Sequence, residues 1–309
     1  MNKIEFGDCR ETMRKWAAQG VKAQTCVTSP PYYGLRDYGH EGQIGLEETP
    51  EQYISAMVEV FRCVWDVLED DGTLWLNIGD SYYNYRPGKG QALVKQTVAN
   101  NNQDLPQTCA RRGNKLDGLK EKDLIGIPWM LAFALRADGW YLRQDIIWHK
   151  PNPMPESVGD RCTKSHEYIF LLSKSHKYHY DHNAIKEPVK EDWGTRDRTN
   201  GKYHNEGTGL QPHSGLEKSY EMANKRSVWT VNTKPYSGAH FAVFPTELIE
   251  PCILAGAPVG GIVLDPFMGS GTTAQVAQDL GRQYIGCELN PDYGNLQKKR
   301  TARISLDFA

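Results

Sequence analysis

A strand, a glycine-rich turn, a helix and a second strand follow one another in residues 261–290, GIVLDPFMGSGTTAQVAQDLGRQYIGCELN. Asp265 closes the first strand, Gly269 and Gly271 permit close backbone approach in the turn, and Glu288 closes the second strand. This order requires two parallel strands joined by a crossover helix. The segment therefore restricts the chain to α/β folds with a mostly parallel sheet.

The glycine turn also predicts the type of ligand. Glu288 follows Asp265 at close to the spacing, about 20 residues, at which an acid reaches the hydroxyls of a ribose. The turn lacks the lysine of a phosphate-binding loop and the third glycine of a dinucleotide site. An adenosine cofactor without pyrophosphate needs neither, so S-adenosylmethionine fits, with its carboxylate at the helix N-terminus and its apolar body against Phe267.

A second motif, TSPPYY at residues 28–33, follows an apolar strand near the other end of the chain. Two consecutive prolines fix the backbone and leave no N–H at either position, so the nearby carbonyls are rigid acceptors. The Ser29 hydroxyl and the Pro30 carbonyl can accept the hydrogens of an exocyclic amine, while Tyr32 stacks on its ring. Such acceptors favour the sp³ form of the nitrogen, and placement in line with a methyl donor supplies about 7–11 kcal/mol of the barrier.

Apolar runs alternate with helical stretches along most of the chain. Further strands are predicted at residues 73–80, 141–150 and 166–174, and helices at about 50–69, 124–137, 246–256, 272–281 and 291–303. The predicted fold is a doubly wound, Rossmann-like α/β domain. Residues 82–122 interrupt it with a basic loop, and residues 184–235 interrupt it with a Gly-, His- and Asn-rich stretch.

Together, TSPPYY and VLDPFMGSGTT resemble the motifs of DNA amino-methyltransferases of the circularly permuted beta class, in which the catalytic motif precedes the cofactor motif. The resemblance covers nearly all of the chain and implies an S-adenosylmethionine-dependent methyltransferase fold. It implies that Asp8 lies near the adenine and that Phe241 and Pro245 border the methionine end. The full cofactor-binding set is Asp8, Thr28, Phe241, Pro245, Asp265, Pro266, Phe267, Gly269, Ser270, Gly271, Thr272, Thr273 and Glu288, and the catalytic set is Ser29, Pro30, Pro31 and Tyr32.

The resemblance further implies double-stranded DNA as substrate, with the target base flipped out of the helix. It divides the chain into a catalytic and cofactor-binding domain, residues 1–183 and 236–309, and a target-recognition region, residues 184–235. The predicted DNA contacts are Tyr33, Arg111, Arg112, Lys115, Trp148, Lys150, Arg196, Arg198 and Lys202. A restriction endonuclease partner and a homodimer are both compatible with this interpretation.

The target base is cytosine at N4 or adenine at N6, because both amines present the same local geometry. In the family an acid at the head of the motif usually accompanies adenine and a serine often accompanies cytosine, so Ser29 favours N4 of cytosine. The alternative is adenine N6. A catalytically silent DNA-binding module would not need the complete set of motif residues, and a dehydrogenase would leave TSPPYY unexplained.

Composition limits the remaining classes. The seven cysteines form no CxxC pair or zinc-like spacing, so they are interpreted as reduced thiols and no metal is expected. The net charge of −2 gives no global basic field, so any attraction to DNA must be local. No apolar stretch predicts a membrane span or a signal peptide, which favours the cytoplasm of a bacterial, archaeal or phage-infected cell.

Overall fold

The computed structural model describes residues 1–35, 37, 39–83, 116–189, 221–233 and 244–302. Ten strands and six α-helices lie in these ranges. The strands are β1 (Asn2–Phe6), β2 (Ala23–Thr28), β3 (Leu68–Ile78), β4 (Tyr141–His149), β5 (His166–Ser173), β6 (Glu187–Pro188), β7 (Met222–Ala223), β8 (Val228–Thr230), β9 (Ile262–Asp265) and β10 (Gln283–Glu288). The helices are α1 (Cys9–Ala18), α2 (Pro50–Val67), α3 (Ile127–Ala137), α4 (Thr246–Gly256), α5 (Thr272–Asp279) and α6 (Gly294–Thr301).

Eight of these strands form one sheet in the order β1-β10-β9-β2-β3-β5-β4-β8. Within it β5 runs antiparallel to its neighbours β3 and β4, and the other neighbouring pairs are parallel. The carboxyl ends of β1, β10, β9, β2, β3, β4 and β8 therefore meet at one edge of the sheet, together with the start of β5. Open α/β sheets bind ligands at this edge.

Helices cover both faces of the sheet, which explains why its central strands are almost continuously apolar. On one face α1, α2 and α3 pack through Met13, Trp16, Phe61 and Leu131, among other fully buried side chains. On the other face α4 and α5 pack against Trp75 and the neighbouring strand residues. The result is a three-layer α/β arrangement, as the sequence predicted.

Local sequence signals fix where the helices begin. Thr49 and Gln52 form a reciprocal capping box at the start of α2, with Pro50 in the first turn. The Asp8 carboxylate caps α1 by accepting the backbone N–H of Arg10. Of the helices that the structure describes, none is long and apolar enough to cross a membrane.

The predicted strands and helices are confirmed, with ends shifted by a few residues. The elements β1, α1, β6 and β7 were not predicted, although Asp8, which lies between β1 and α1, was predicted to lie near the adenine. β8 lies within the region assigned to target recognition, yet it pairs with β4 and extends the main sheet. Only β6 and β7 form a separate, two-stranded sheet in that region as far as it is described.

Candidate active site

The glycine turn between β9 and α5 forms a backbone cradle at the ligand-binding edge. Gly269 and Gly271 have φ of 52° and 91°, values that favour glycine. The Met268 N–H donates to the Cys287 carbonyl at 2.9 Å, which ties the turn to β10. From the other side, the Gln297 side-chain amide of α6 donates to the Gly269 carbonyl at 2.7 Å. Hydrogen bonds to β10 and α6 thus hold the turn in shape.

Asp265 joins the two sequence motifs directly. Its carboxylate accepts the Thr28 hydroxyl at 2.6 Å, the Thr273 hydroxyl at 2.6 Å and the Phe267 N–H at 3.0 Å. Burial raises the pKa of this carboxyl to about 6, and the three donors counteract that rise. Because these partners are all protein groups, Asp265 and Thr28 position the cofactor turn beside the TSPPYY motif.

Glu288 closes β10 next to the glycine turn. One carboxylate oxygen accepts the Gly269 N–H at 2.7 Å and the other accepts the Asn290 N–H at 2.8 Å. Burial raises the pKa of this carboxyl above its ordinary value. Each oxygen retains a lone pair, so the carboxylate can still accept a hydroxyl of a ribose.

Asp8 reaches the same edge because β1 pairs with β10. The Gly7 N–H donates to the Glu288 carbonyl at 2.9 Å, and Asp8 follows immediately. Its carboxylate is paired with the Arg10 guanidinium, with an Nη2 to Oδ2 distance of 2.6 Å. This hydrogen-bonded pairing lowers the pKa of Asp8. The structure therefore brings Asp8 beside Glu288, although it already pairs with a cation.

The remaining predicted cofactor residues surround the turn. The Ser270 hydroxyl is buried and, among the residues that the structure describes, has no hydrogen-bond partner. Pro266, Thr272 and Thr273 are buried, Phe267 is half-buried, and Pro245 caps α4. Phe241 lies outside the described residues. A buried hydroxyl without a partner is costly, so this group is available to a ligand at the turn.

The TSPPYY motif leaves β2 at the same edge and is held by surrounding groups. The Tyr53 hydroxyl donates to the Pro31 carbonyl at 2.9 Å. Tyr32 is half-buried, and its hydroxyl donates to Glu167 Oε2 at 2.7 Å and lies 3.3 Å from Asn77 Oδ1. Burial and the neighbouring Glu167 charge raise the pKa of Tyr32 well above its usual value. The tyrosine is therefore a neutral hydrogen-bond donor in this site.

Three residues of this site were not predicted from the sequence: Asn77, Gly79 and Glu167. A Cβ atom at Gly79 would lie 2.6 Å from Tyr32 Cε2, so only glycine leaves room for the ring. Glu167 is the second residue of the antiparallel β5, and its side chain is only 16% exposed. One sequence signal could have identified Glu167: it stands at the start of the apolar run HEYIFLL, and a charged side chain is rarely buried without a partner.

The structure corrects two of the predicted DNA contacts. Tyr33 is 2% exposed and its ring packs on Tyr53 with centroids 5.5 Å apart, so it belongs to the core. Trp148 is 4% exposed, and its indole N–H donates to the Val231 carbonyl at 2.8 Å. Both side chains are part of the protein interior, where large aromatic side chains contribute most to stability.

Lys150 has a different environment from the one predicted. Its ammonium forms an ion pair with Glu167 and lies 4.2 Å from the centroid of the Trp148 ring. It is therefore committed to neighbours of Tyr32 rather than presented to a phosphate. The other predicted DNA contacts lie outside the described residues: Arg111, Arg112, Lys115, Arg196, Arg198 and Lys202.

The arrangement combines a cradle for a nucleoside-type ligand with a rigid set of acceptors beside it. Over the described ranges, no cluster of three or more His, Cys, Asp or Glu side chains could hold a metal ion. The glycine turn follows β9 and the TSPPYY motif follows β2, and these two strands are neighbours in the sheet. This geometry suits transfer of a group between two bound molecules.

Comparison with known proteins gives consistent findings. A family model described as DNA methylase, of the N6/N4 methyltransferase type, matches residues 23–299. The chain is 48% identical over 304 residues to the type II methyltransferase M.SmaI of Serratia marcescens, covering 97% of this chain and 91% of that protein.

Two solved structures extend the comparison. A putative DNA modification methylase from Thermus thermophilus, complexed with S-adenosyl-L-methionine, matches with a TM-score of 0.57 at 25% identity and covers 98% of this chain and 94% of its own. The PvuII DNA methyltransferase, described as cytosine-N4-specific, matches with a TM-score of 0.63 at 16% identity over 99% and 88% of the two chains.

Proposed function

This chain belongs to the N6/N4 DNA methylase family, and on that premise we propose that it methylates cytosine at N4. That it is an S-adenosyl-L-methionine-dependent DNA methyltransferase follows from the family. The choice of cytosine depends on one observation, Ser29 at the head of SPPY, where an acid usually accompanies adenine. The PvuII enzyme, described as cytosine-N4-specific, shares the fold and is compatible with this choice.

The cofactor-binding edge fits S-adenosylmethionine by its own chemistry. We assign the partnerless Ser270 hydroxyl and the backbone of Gly269 and Gly271 to its amino-acid end, and the Glu288 carboxylate to its ribose. Phe267 supplies an apolar contact at the same edge. When bound, this cofactor supplies a methyl group on a positively charged sulfur. Asp265 acts indirectly, because its carboxylate is occupied by Thr28, Thr273 and Phe267.

The amine is assigned to the SPPY residues. We propose that the Ser29 hydroxyl oxygen and the Pro30 carbonyl accept its two hydrogens, which draws the nitrogen towards sp³ geometry and exposes a lone pair. The Tyr32 ring forms a wall of the base pocket, and its hydroxyl is fixed by Glu167. No strong base is required, because the proton leaves after the new N–C bond has formed.

The target base can be identified directly. The chain is expressed in a host that lacks DNA methylation, and the genomic DNA is hydrolysed and analysed by mass spectrometry. We expect N4-methylcytosine. N6-methyladenine in its place would overturn the assignment based on Ser29, while leaving the family unchanged. Tyr32→Ala is the matched control, which we expect to lose turnover while calorimetry shows that S-adenosylmethionine still binds.

We also propose a biological role for the chain and a DNA-reading role for one of its regions. The relative M.SmaI is named a type II methyltransferase, so we propose that this chain is the modification enzyme of a type II restriction system. We also propose that residues 184–235 read the DNA sequence, supported by the departure of β6 and β7 from the main sheet. Mapping the methylated positions in the host genome gives the recognition sequence, and an endonuclease for that sequence should fail to cut the methylated DNA.

A further inference from the structure

Four parts of the chain meet at the Glu167 carboxylate. Glu167 lies near the start of β5, Lys150 follows β4, Asn77 lies in β3 and Tyr32 follows β2. Oε2 accepts the Tyr32 hydroxyl at 2.7 Å and the Asn77 side-chain amide at 3.3 Å, while Oε1 pairs with the Lys150 ammonium. The side chains of Lys150 and Glu167 are 17% and 16% exposed.

This ion pair is expensive to bury. Removing two charges from water costs more than their attraction returns unless further hydrogen bonds satisfy them, and apolar replacements are often as stable. A purely structural requirement would be met by packing alone. The extra partners of Glu167 are Tyr32 and Asn77, so the carboxylate is directed at the base pocket rather than only at Lys150.

The Tyr32 side chain is also fixed by backbone contacts. A Cβ at Gly79 would lie 2.6 Å from Cε2 of the ring and 3.3 Å from Cδ of Glu167, so both groups pack directly on that backbone. On the main-chain side, a Cβ at Gly45 would lie 3.2 Å from the Tyr32 carbonyl oxygen. The ring position is thus set by Gly79, whereas the direction of the hydroxyl proton is set by Glu167.

The Tyr32 hydroxyl has one proton, and its direction follows from the partners of the hydroxyl. A carboxylate only accepts, so the single hydroxyl proton of Tyr32 goes to Glu167. The direction of the Tyr32 hydroxyl is therefore fixed by the same carboxylate that Lys150 and Asn77 hold in place.

We infer that Glu167 is a positioning residue, which fixes the direction of the Tyr32 hydroxyl and so holds the aromatic wall of the base pocket in place. Lys150 is the counterion of this carboxylate. This inference rests on the proposed assignment of Tyr32 to the wall of the base pocket.

The test is a double-mutant cycle between Glu167→Gln and Tyr32→Phe, with methyl transfer measured on DNA that carries the recognition sequence. Each single variant should lower kcat roughly 10- to 100-fold, the range for a hydrogen bond to a charged group. The double variant should be no slower than the slower single variant, because both changes break one chain of hydrogen bonds. Calorimetric affinity for S-adenosylmethionine should be unchanged in all three.

The control is Asp138→Asn, which breaks the Arg62–Asp138 ion pair of α2 and the end of α3, away from the site. It should leave kcat unchanged. Glu167→Gln leaves Lys150 unpaired and could destabilise the protein for that reason alone. In that case the double variant Glu167→Gln with Lys150→Gln, which removes both charges, takes the place of Glu167→Gln in the cycle. The inference is overturned if the fold-reduction of kcat in the double variant equals the product of the two single reductions. It is also overturned if Glu167→Gln keeps the wild-type kcat. An inactive wild-type protein would instead contradict the proposed function.

Discussion

Two hydroxyl groups near the glycine turn, those of Ser270 and Thr273, differ in their hydrogen bonding, although both residues were predicted to bind the cofactor. The Thr273 hydroxyl donates to Asp265 at 2.6 Å, whereas the Ser270 hydroxyl is buried without a partner among the described residues. The sequence GSGTT does not distinguish the two, because the difference depends on which way each side chain leaves the turn. Only the folded backbone decides it.

Ser270→Ala should therefore weaken S-adenosylmethionine binding without lowering stability. Removing one hydrogen bond corresponds to about 0.5–1.5 kcal/mol of binding free energy. Thr273→Val, at the start of α5, is the matched control, and it should lower the melting temperature because it leaves Asp265 short of a donor. Calorimetry and thermal unfolding of both variants measure the two effects. A fall in stability in Ser270→Ala with normal cofactor affinity would contradict the assignment.

Asp265 gives the protein a component of stability that depends on pH. Its pKa is raised to about 6 from an ordinary 3.8, so the folded state binds this proton more tightly than the unfolded state does. The stabilisation is present below about pH 4 and is lost as the pH rises through about 6, and it amounts to about 3 kcal/mol. Urea unfolding of the wild type and Asp265→Asn between pH 4 and 7 checks this.

The difference between the two unfolding free energies isolates Asp265, because Asp8 and the other carboxyls with a lowered pKa are unchanged by the substitution. Relative to Asp265→Asn, the wild type should lose stability with rising pH. Parallel curves for the two proteins would show that Asp265 does not titrate in this range.

At the scale of elements, the apolar runs were sufficient to predict most strands and helices, since each buried strand ends in a polar or glycine-rich turn. They did not predict that β5 runs antiparallel, because a buried strand has the same composition in either direction. That reversal brings Glu167 to the ligand-binding edge, and it explains why Glu167 was missed. The interior places of Tyr33 and Trp148 likewise depend on what packs over them.

Gly79→Ala tests how closely the end of β3 approaches the SPPY motif. The added methyl group would lie 2.6 Å from the Tyr32 ring, and so it must displace the ring or the strand end. We expect kcat to fall by at least about tenfold, because displacements near 1 Å in a positioned site cost about 100-fold. Gly159→Ala is the control, since a Cβ at Gly159 meets no atom within 4 Å. Equal activity of the two variants would contradict the close approach.

At the scale of the whole molecule, the order of the two motifs along the chain was enough to predict that the fold must bring them together. The hydrogen bond between Thr28 and Asp265 shows how it does so, through adjacent strands β2 and β9. The surface that meets DNA was less accessible to prediction, because phosphate contacts depend on long polar loops without periodicity. Most of the predicted DNA contacts lie outside the described residues.

The basic segment 82–122 nevertheless supports a prediction about binding. Neutralising Arg111, Arg112 and Lys115 should weaken binding to all DNA sequences and reduce the dependence of log K on log salt by about 0.9 for each phosphate that is no longer neutralised. Neutralising the exposed Lys298 and Lys299 of α6 is the control, and it should leave the slope unchanged. Fluorescence anisotropy over a series of salt concentrations measures both. An unchanged slope in the triple variant would place the phosphate contacts elsewhere.

The Thr28–Asp265 hydrogen bond spans 237 residues, and this has a consequence for the growing polypeptide. At about 5–20 residues per second, β9 leaves the ribosome roughly 10–50 s after β2. Until then β2 lacks one neighbouring strand, and Ser29 and Tyr32 have no cofactor turn beside them. We expect nascent chains that stop before residue 265 to be inactive on DNA. The host genome is therefore modified only by chains whose synthesis has passed the cofactor turn.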